Sequence, residues 1–191
     1  MQGLTGLVRL IDEGRFGPNR HAEDVHTQLQ QMLEASLGRV ARKLHTARSR
    51  NDQVSLDTRL YCRDAVTAIV TSIQDAQQAL VALGRRYQDV VIPGYTHLQQ
   101  AQPVLLAHHL LAYVEMLQRD ADRLQDARQR IDVLPLGAGA LAGTSLPIDR
   151  RLVARLLGFP RVSANSLDAV SDRDFALELL GVLATLAMHL S

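Results

Sequence analysis

A single cysteine, Cys62, stands among the 191 residues, which excludes an intrachain disulfide and any cysteine-based zinc set. A reducing compartment is the simplest setting, so a cytoplasmic location is expected, with Cys62 itself a packing residue. There is no tryptophan and aromatic residues make up only 4%, so a core must be built from Leu, Val, Ile and Ala. No stretch approaches the roughly eighteen apolar residues of a membrane span. The opening "MQGLTGLVRLIDEGRF" has an apolar run too short, and acids too early, for a signal peptide. A soluble protein with no membrane partner is the expectation. Neither sign of charge dominates: the formal net charge is +1, so the whole-molecule field gives no reason to expect nucleic acid or an acidic surface. Any basic function must be local.

What is present is 47% apolar residues, enough to bury a substantial core. Their spacing is helical nearly everywhere, and no segment reads as a convincing strand. Val25, Leu29, Met32 and Leu33 predict a helix over 22–37, with Gly38 in the left-handed position that ends it. Val66, Ile69, Ile73, Ala76, Leu80 and Leu83 predict a long amphipathic helix from about Asp52 to Tyr87. After Pro103, Leu110, Val114, Leu117, Ala121, Leu124 and Ile131 predict a third helix about 45 Å long. The last begins at an N-cap Ser171, with Asp172 and Asp174 in its first turn. Its stripe of Phe175, Leu179, Val182, Leu183, Leu186 and Leu190 runs on without a stop signal, which reads as a chain cut within a helix. The predicted fold class is all-α, a truncated long-helix bundle packed at shallow angles. Its apolar stripes are expected to bury against partner chains, making the protein a homo-oligomer.

Three segments between these helices are chemically unusual. "GRVARKLHTARSRNDQ", 38–53, carries Arg39, Arg42, Lys43, Arg48 and Arg50 before the first acid, Asp52, with Thr46, Ser49 and Asn51 as hydrogen-bond donors among them. Such donors suit the fixing of carboxylate oxygens. A solvated basic loop, with Ser49 or Asn51 capping the next helix, is equally written in these residues. In "VIPGYTHLQQAQPV", 91–104, Gly94 permits a tight turn, and Thr96, His97 and Gln99 line the approach to a helix mouth. A histidine there can exchange a proton or stabilise developing charge, or it can be a structural residue. His108 and His109 have no acid or cysteine at metal-ligand spacing and are assigned to packing or surface. "LPLGAGALAGTSLP" clusters Gly137, Gly139 and Gly143, but the spacing fits neither a dinucleotide fingerprint nor a phosphate loop, so it reads as a flexible connector. Small residues there would also let backbone approach a ligand.

Four stretches together carry a resemblance: "KLHTARSRNDQ" (43–53), "PGYTHLQQAQP" (93–103), "IDVLPLGAGALAGT" (131–144) and "NSLDAVSDRDF" (165–175). In this order they resemble the argininosuccinate lyases of the fumarase/aspartase superfamily. Ala47 departs from the glycine usual in that family, and is expected to sit at a position free of positive φ. The resemblance implies a reversible β-elimination of argininosuccinate to arginine and fumarate without metal or organic cofactor. It assigns Ser49, Arg50, Asn51 and Thr96 to substrate carboxylates and His97 to general acid/base work or its electrostatic support. It also implies a homotetramer whose active sites gather residues from several subunits.

The family's mobile Gly-Ser-Ser loop and its following Met-Pro-Gln-Lys-Lys-Asn-Pro signature have no match in this sequence. The expected organisation is therefore partial: an N-terminal helical segment with the basic substrate loop, 1–52, and a central bundle, 53–191. Alone, it is expected to bind without turning over. If it does turn over, Ser145 or Ser163 is the substitute base. A lyase acting on adenylosuccinate or another N-substituted aspartate, or a non-catalytic helical oligomer, are the alternatives.

Overall fold

The computed structural model describes residues 2–17 and 19–191. The chain divides into two compact units, 1–48 and 49–191.

The first unit holds α1 (Gln2–Asp12) and α2 (Val25–Leu37), followed by a short 3-10 helix (Gly38–His45). Asp24 caps α2, its carboxylate accepting from the Thr27 amide at 2.7 Å. Gly38 does end the helix at positive φ, but its ψ of −149° is not the left-handed helical value that the sequence suggested. Leu7, Leu33 and Ala41 are the buried centre of this unit. The predicted basic loop is thus wound into a helical turn, where Arg42 pairs with Glu34 at 3.1 Å. Ala47 adopts φ 58°, against expectation. A left-handed L-residue carries a steric penalty of roughly 1–2 kcal/mol, which the family's usual glycine avoids.

The second unit is dominated by α3 (Arg50–Arg86) and α4 (Leu106–Ile131), with α5 (Arg150–Leu157), α6 (Ser166–Ser171) and α7 (Asp174–Leu190). The all-α expectation is met by this architecture, a bundle of long helices. Its main core joins Cys62, Val66 and Ile73 of α3, Leu117, Ala121, Leu124 and Ile131 of α4, and Phe175, Leu179 and Leu186 of α7. Each fully buried Leu or Ile here contributes on the order of 1.5–3 kcal/mol. Burial pushes the Cys62 thiol up, in keeping with a packing role. The final helix starts later than predicted: Ser171 closes α6, donating its hydroxyl to the carbonyls of Leu167 and Asp168, and α7 begins at Asp174. Two short strands, β3 (Val133–Leu134) and β4 (Arg161–Val162), pair in parallel at the foot of α4.

The larger departure from prediction is a β-hairpin between α3 and α4. β1 (Val91–Thr96) and β2 (Gln99–Leu105) pair antiparallel, so the stretch read as a helix mouth is sheet, and α4 starts three residues after Pro103. Pro93 and Pro103, taken as helix punctuation, face each other across the ladder. Gly94 sits at the irregularity between Pro93 and Tyr95, where a side-chain carbon would lie 2.6 Å from the Gln102 carbonyl oxygen. Only glycine fits that bulge.

Candidate functional site

Two of the predicted site segments lie in the second unit as distinct constructions. The first is the head of α3. Ser49 is its N-cap, with its hydroxyl accepting from the Asn51 amide at 3.3 Å, so the capping role is the one observed. Arg50 donates to the Gln53 side chain at 3.0 Å. Asn51 is exposed and donates its side-chain amide to the Ala140 carbonyl at 2.9 Å. Beneath these residues, Asp52 is fully buried and accepts from three backbone amides: Ser49 at 2.9 Å, Gly137 at 3.0 Å and Gly139 at 2.9 Å.

The glycine segment is therefore no flexible connector. Gly137, Gly139 and Gly143 all hold positive φ, and Ala138 is fully buried. A Cβ on Gly139 would stand 2.6 Å from the Gly143 carbonyl oxygen, while the Gly143 amide donates back to Ala138 at 2.7 Å. Sequence reading missed Asp52 as an organiser of this site. Its signal was the Ser-x-x-Asp spacing of a capping box, which foretells the local bond to Ser49 but not the partners 85 and 87 residues away.

The second construction is the hairpin tip. His97 and Leu98 form a two-residue turn with φ of 50° and 61°, the positive pair of a type I′ connection that usually recruits Asn or Gly. Thr96, the last residue of β1, pairs with Gln99, the first of β2, across this turn. Thr96 and His97 are exposed, and Leu98 is 99% exposed. A left-handed leucine on open surface gains no packing in this chain to offset its strain, a pattern that concentrates at functional positions.

The two constructions stand at opposite ends of α3. Its rise of 1.5 Å per residue separates Arg50 from Arg86 by about 54 Å. The eleven-residue path from Arg86 to His97, even fully extended back along the helix, recovers at most about 40 Å. At that limit about 14 Å still separates the two backbones. The hairpin tip and the head of α3 are therefore far apart along one chain, set against the roughly 3 Å between heavy atoms that proton transfer needs.

His108 and His109 are exposed on α4, His109 meeting the Tyr113 ring edge-on at 5.4 Å. Ser163 accepts from the Arg150 guanidinium at 2.7 Å, and Ser145 lies exposed in the loop before α5. A cleft of about 470 Å³ lies where α3, α6 and α7 meet, with Arg59, Ser163, Asp168 and Asp172 in its lining. Among the described residues no group of three or more His, Cys, Asp or Glu could hold a metal ion, and no helix is long and apolar enough to cross a membrane.

Comparison with known proteins adds to this geometry. The family model described as lyase matches residues 10–191. A protein of Pelotomaculum thermopropionicum named argininosuccinate lyase is 54% identical over 189 residues, 99% of this chain and 41% of its own length. One of Moorella thermoacetica with the same name is 54% identical over 191 residues, again covering 41% of that relative. The chain thus spans about two-fifths of the length of these relatives. Among solved structures, EDDS lyase in complex with formate aligns with a TM-score of 0.80 at 34% identity, over 84% of this chain and 32% of that one. A variant of EDDS lyase with bound fumarate aligns with a TM-score of 0.81 at 31% identity, over 95% of this chain and 36% of that one.

Proposed function

The chain belongs to the lyase family, and from that premise we propose that it forms part of an enzyme splitting argininosuccinate into arginine and fumarate by β-elimination. In this reaction a base removes the proton beside a carboxylate, the carboxylate takes up negative charge, and an acid assists departure of the guanidinium nitrogen. Donors that hold the carboxylate and groups that move protons are both required. Ser49, Arg50, Asn51 and Thr96 are the proposed carboxylate ligands. His97 is the proposed proton-transfer group or the electrostatic support of one.

The observation that carries this reading is the hairpin tip. A histidine kept for packing would be buried; His97 is exposed, in a strained turn, beside Thr96. Because at least about 14 Å of backbone separates this tip from the head of α3 in one chain, the complete site is proposed to draw the two from different copies in a homotetramer. Exposed Leu177, Leu180 and Met188 on α7 suit burial in such an assembly. The serine loop and lysine that the family supplies elsewhere are proposed to complete the site. Cytoplasmic placement belongs to the same proposal.

The test is a substrate panel on the whole protein, with fumarate release followed by ultraviolet absorbance. Argininosuccinate is expected to be the preferred substrate over adenylosuccinate and EDDS. Preference for either of the others would replace the proposed leaving group while keeping the elimination.

A further inference from the structure

Asp52 is a carboxylate with no exposed surface that accepts hydrogen bonds from backbone amides, with the Arg150 guanidinium near enough to act on its charge. Burying a charge this way is expensive unless the acceptors are saturated by well-placed donors. Here one oxygen receives the Ser49 amide and the other receives both Gly137 and Gly139. The carboxylate is thereby a rigid clamp between the first turn of α3 and the glycine loop. Asn51, the residue before Asp52, reaches across the same junction to the Ala140 carbonyl. That bond ties the Asn51 side chain to the loop.

We propose that Asp52 is a positioning residue for substrate binding: it fixes the glycine loop against α3 so that Ser49 and Asn51 meet a substrate carboxylate in a preset geometry. This inference rests on the proposed role of 49–51. It extends that role to a residue that touches no substrate, and to the loop 137–140 as the wall it works through. Asparagine at 52 has nearly the same shape but only one acceptor oxygen, so at least one of the three amides would face an NH₂ group. With a charged hydrogen bond lost, the displaced ligand set would weaken binding roughly 10- to 100-fold.

The experiment compares D52N and N51A with the unaltered whole protein, by steady-state kinetics and by fumarate inhibition, at a temperature well below every variant's Tm. D52N is expected to raise KM and the fumarate inhibition constant together by about 10-fold or more, with kcat changed less than threefold, the signature of lost uniform binding. A lowered Tm with KM and inhibition unaltered would make Asp52 a stability residue and overturn the proposal. If N51A raises KM while D52N does not, the clamp fails and the site stands. If N51A leaves KM unchanged, the site at 49–51 fails and takes the inference with it. Should D52N not fold, G139A strains the same junction from the loop side without touching the charge. The same KM-weighted loss is expected, and a wild-type KM would be the contrary result.

Discussion

Removing the Arg59 guanidinium should be among the most damaging single changes to the bundle, although nothing about position 59 looks chemical in the sequence. Its side chain is 4% exposed. It donates to the carbonyls of Arg130 at 2.8 Å and Ile131 at 3.2 Å and to the Asp172 carboxylate at 2.5 Å. It also lies 4.1 Å from the Phe175 ring centre. One side chain thus joins α3, the last turn of α4, and the junction between α6 and α7. Burial pulls its pKa down, with Asp172 opposing that shift, so the charge is held in place by its partners rather than by water. Arg59→Met keeps the stem and discards the donors. Breaking a buried pair from one side costs about 3–5 kcal/mol. Asp172 retains some solvent contact, which places the expected loss near the lower end, about 3 kcal/mol. For a unit of this size that is a Tm decrease of roughly 6–12 °C. The assay is urea unfolding at fixed protein concentration for R59M, D172N and the double variant. The double variant should recover part of the loss, since no carboxylate is then left unpaired. A loss below about 1 kcal/mol for R59M, or strict additivity in the cycle, would refute the reasoning.

Two further outcomes follow from geometry and site composition. Ala47→Gly should stabilise the chain by about 0.5–1 kcal/mol, the relief of a left-handed φ less glycine's greater chain entropy; a loss of stability in urea unfolding would show that the methyl group packs usefully. Residues 1–191 purified alone should release no fumarate from argininosuccinate, and adding a polypeptide that carries the missing serine loop should restore release. Turnover by the chain alone would move attention to Ser145 and Ser163.

The long helices were legible because their cores are aliphatic stripes at helical spacing: Val66 and Ile73, or Leu117, Ala121 and Leu124, are buried where the period puts them. The capping role at Ser49 was legible too, since Ser-x-x-Asp encodes a local bond. The hairpin was not. Its strands are short and mostly exposed, they carry no clean alternation, and two prolines interrupt them, so the usual period-two signal is missing. Its turn uses His97 and Leu98 where Asn and Gly would have announced it. The rigidity of the glycine loop was hidden for another reason. It depends on Asp52, and long-range backbone acceptance leaves no mark in local composition. Arg59 was invisible likewise, one more arginine on a helix until its partners arrive from elements 71 to 113 residues away. Ala47 shows the limit of a residue-type rule: the backbone takes a left-handed φ there with alanine rather than glycine.

The elimination reading turns on His97, and the most direct measurement is the rate of fumarate release by His97→Asn in the whole protein, paired with its unfolding midpoint. Asparagine tolerates the left-handed turn well, so the hairpin should persist and stability should change little. The expected result is a rate roughly 10²- to 10⁴-fold lower with an unaltered midpoint, the range for a positioned proton-transfer group. An unchanged rate, or a loss of several kcal/mol in stability accompanying any fall in rate, would make His97 a structural residue and contradict the proposed site.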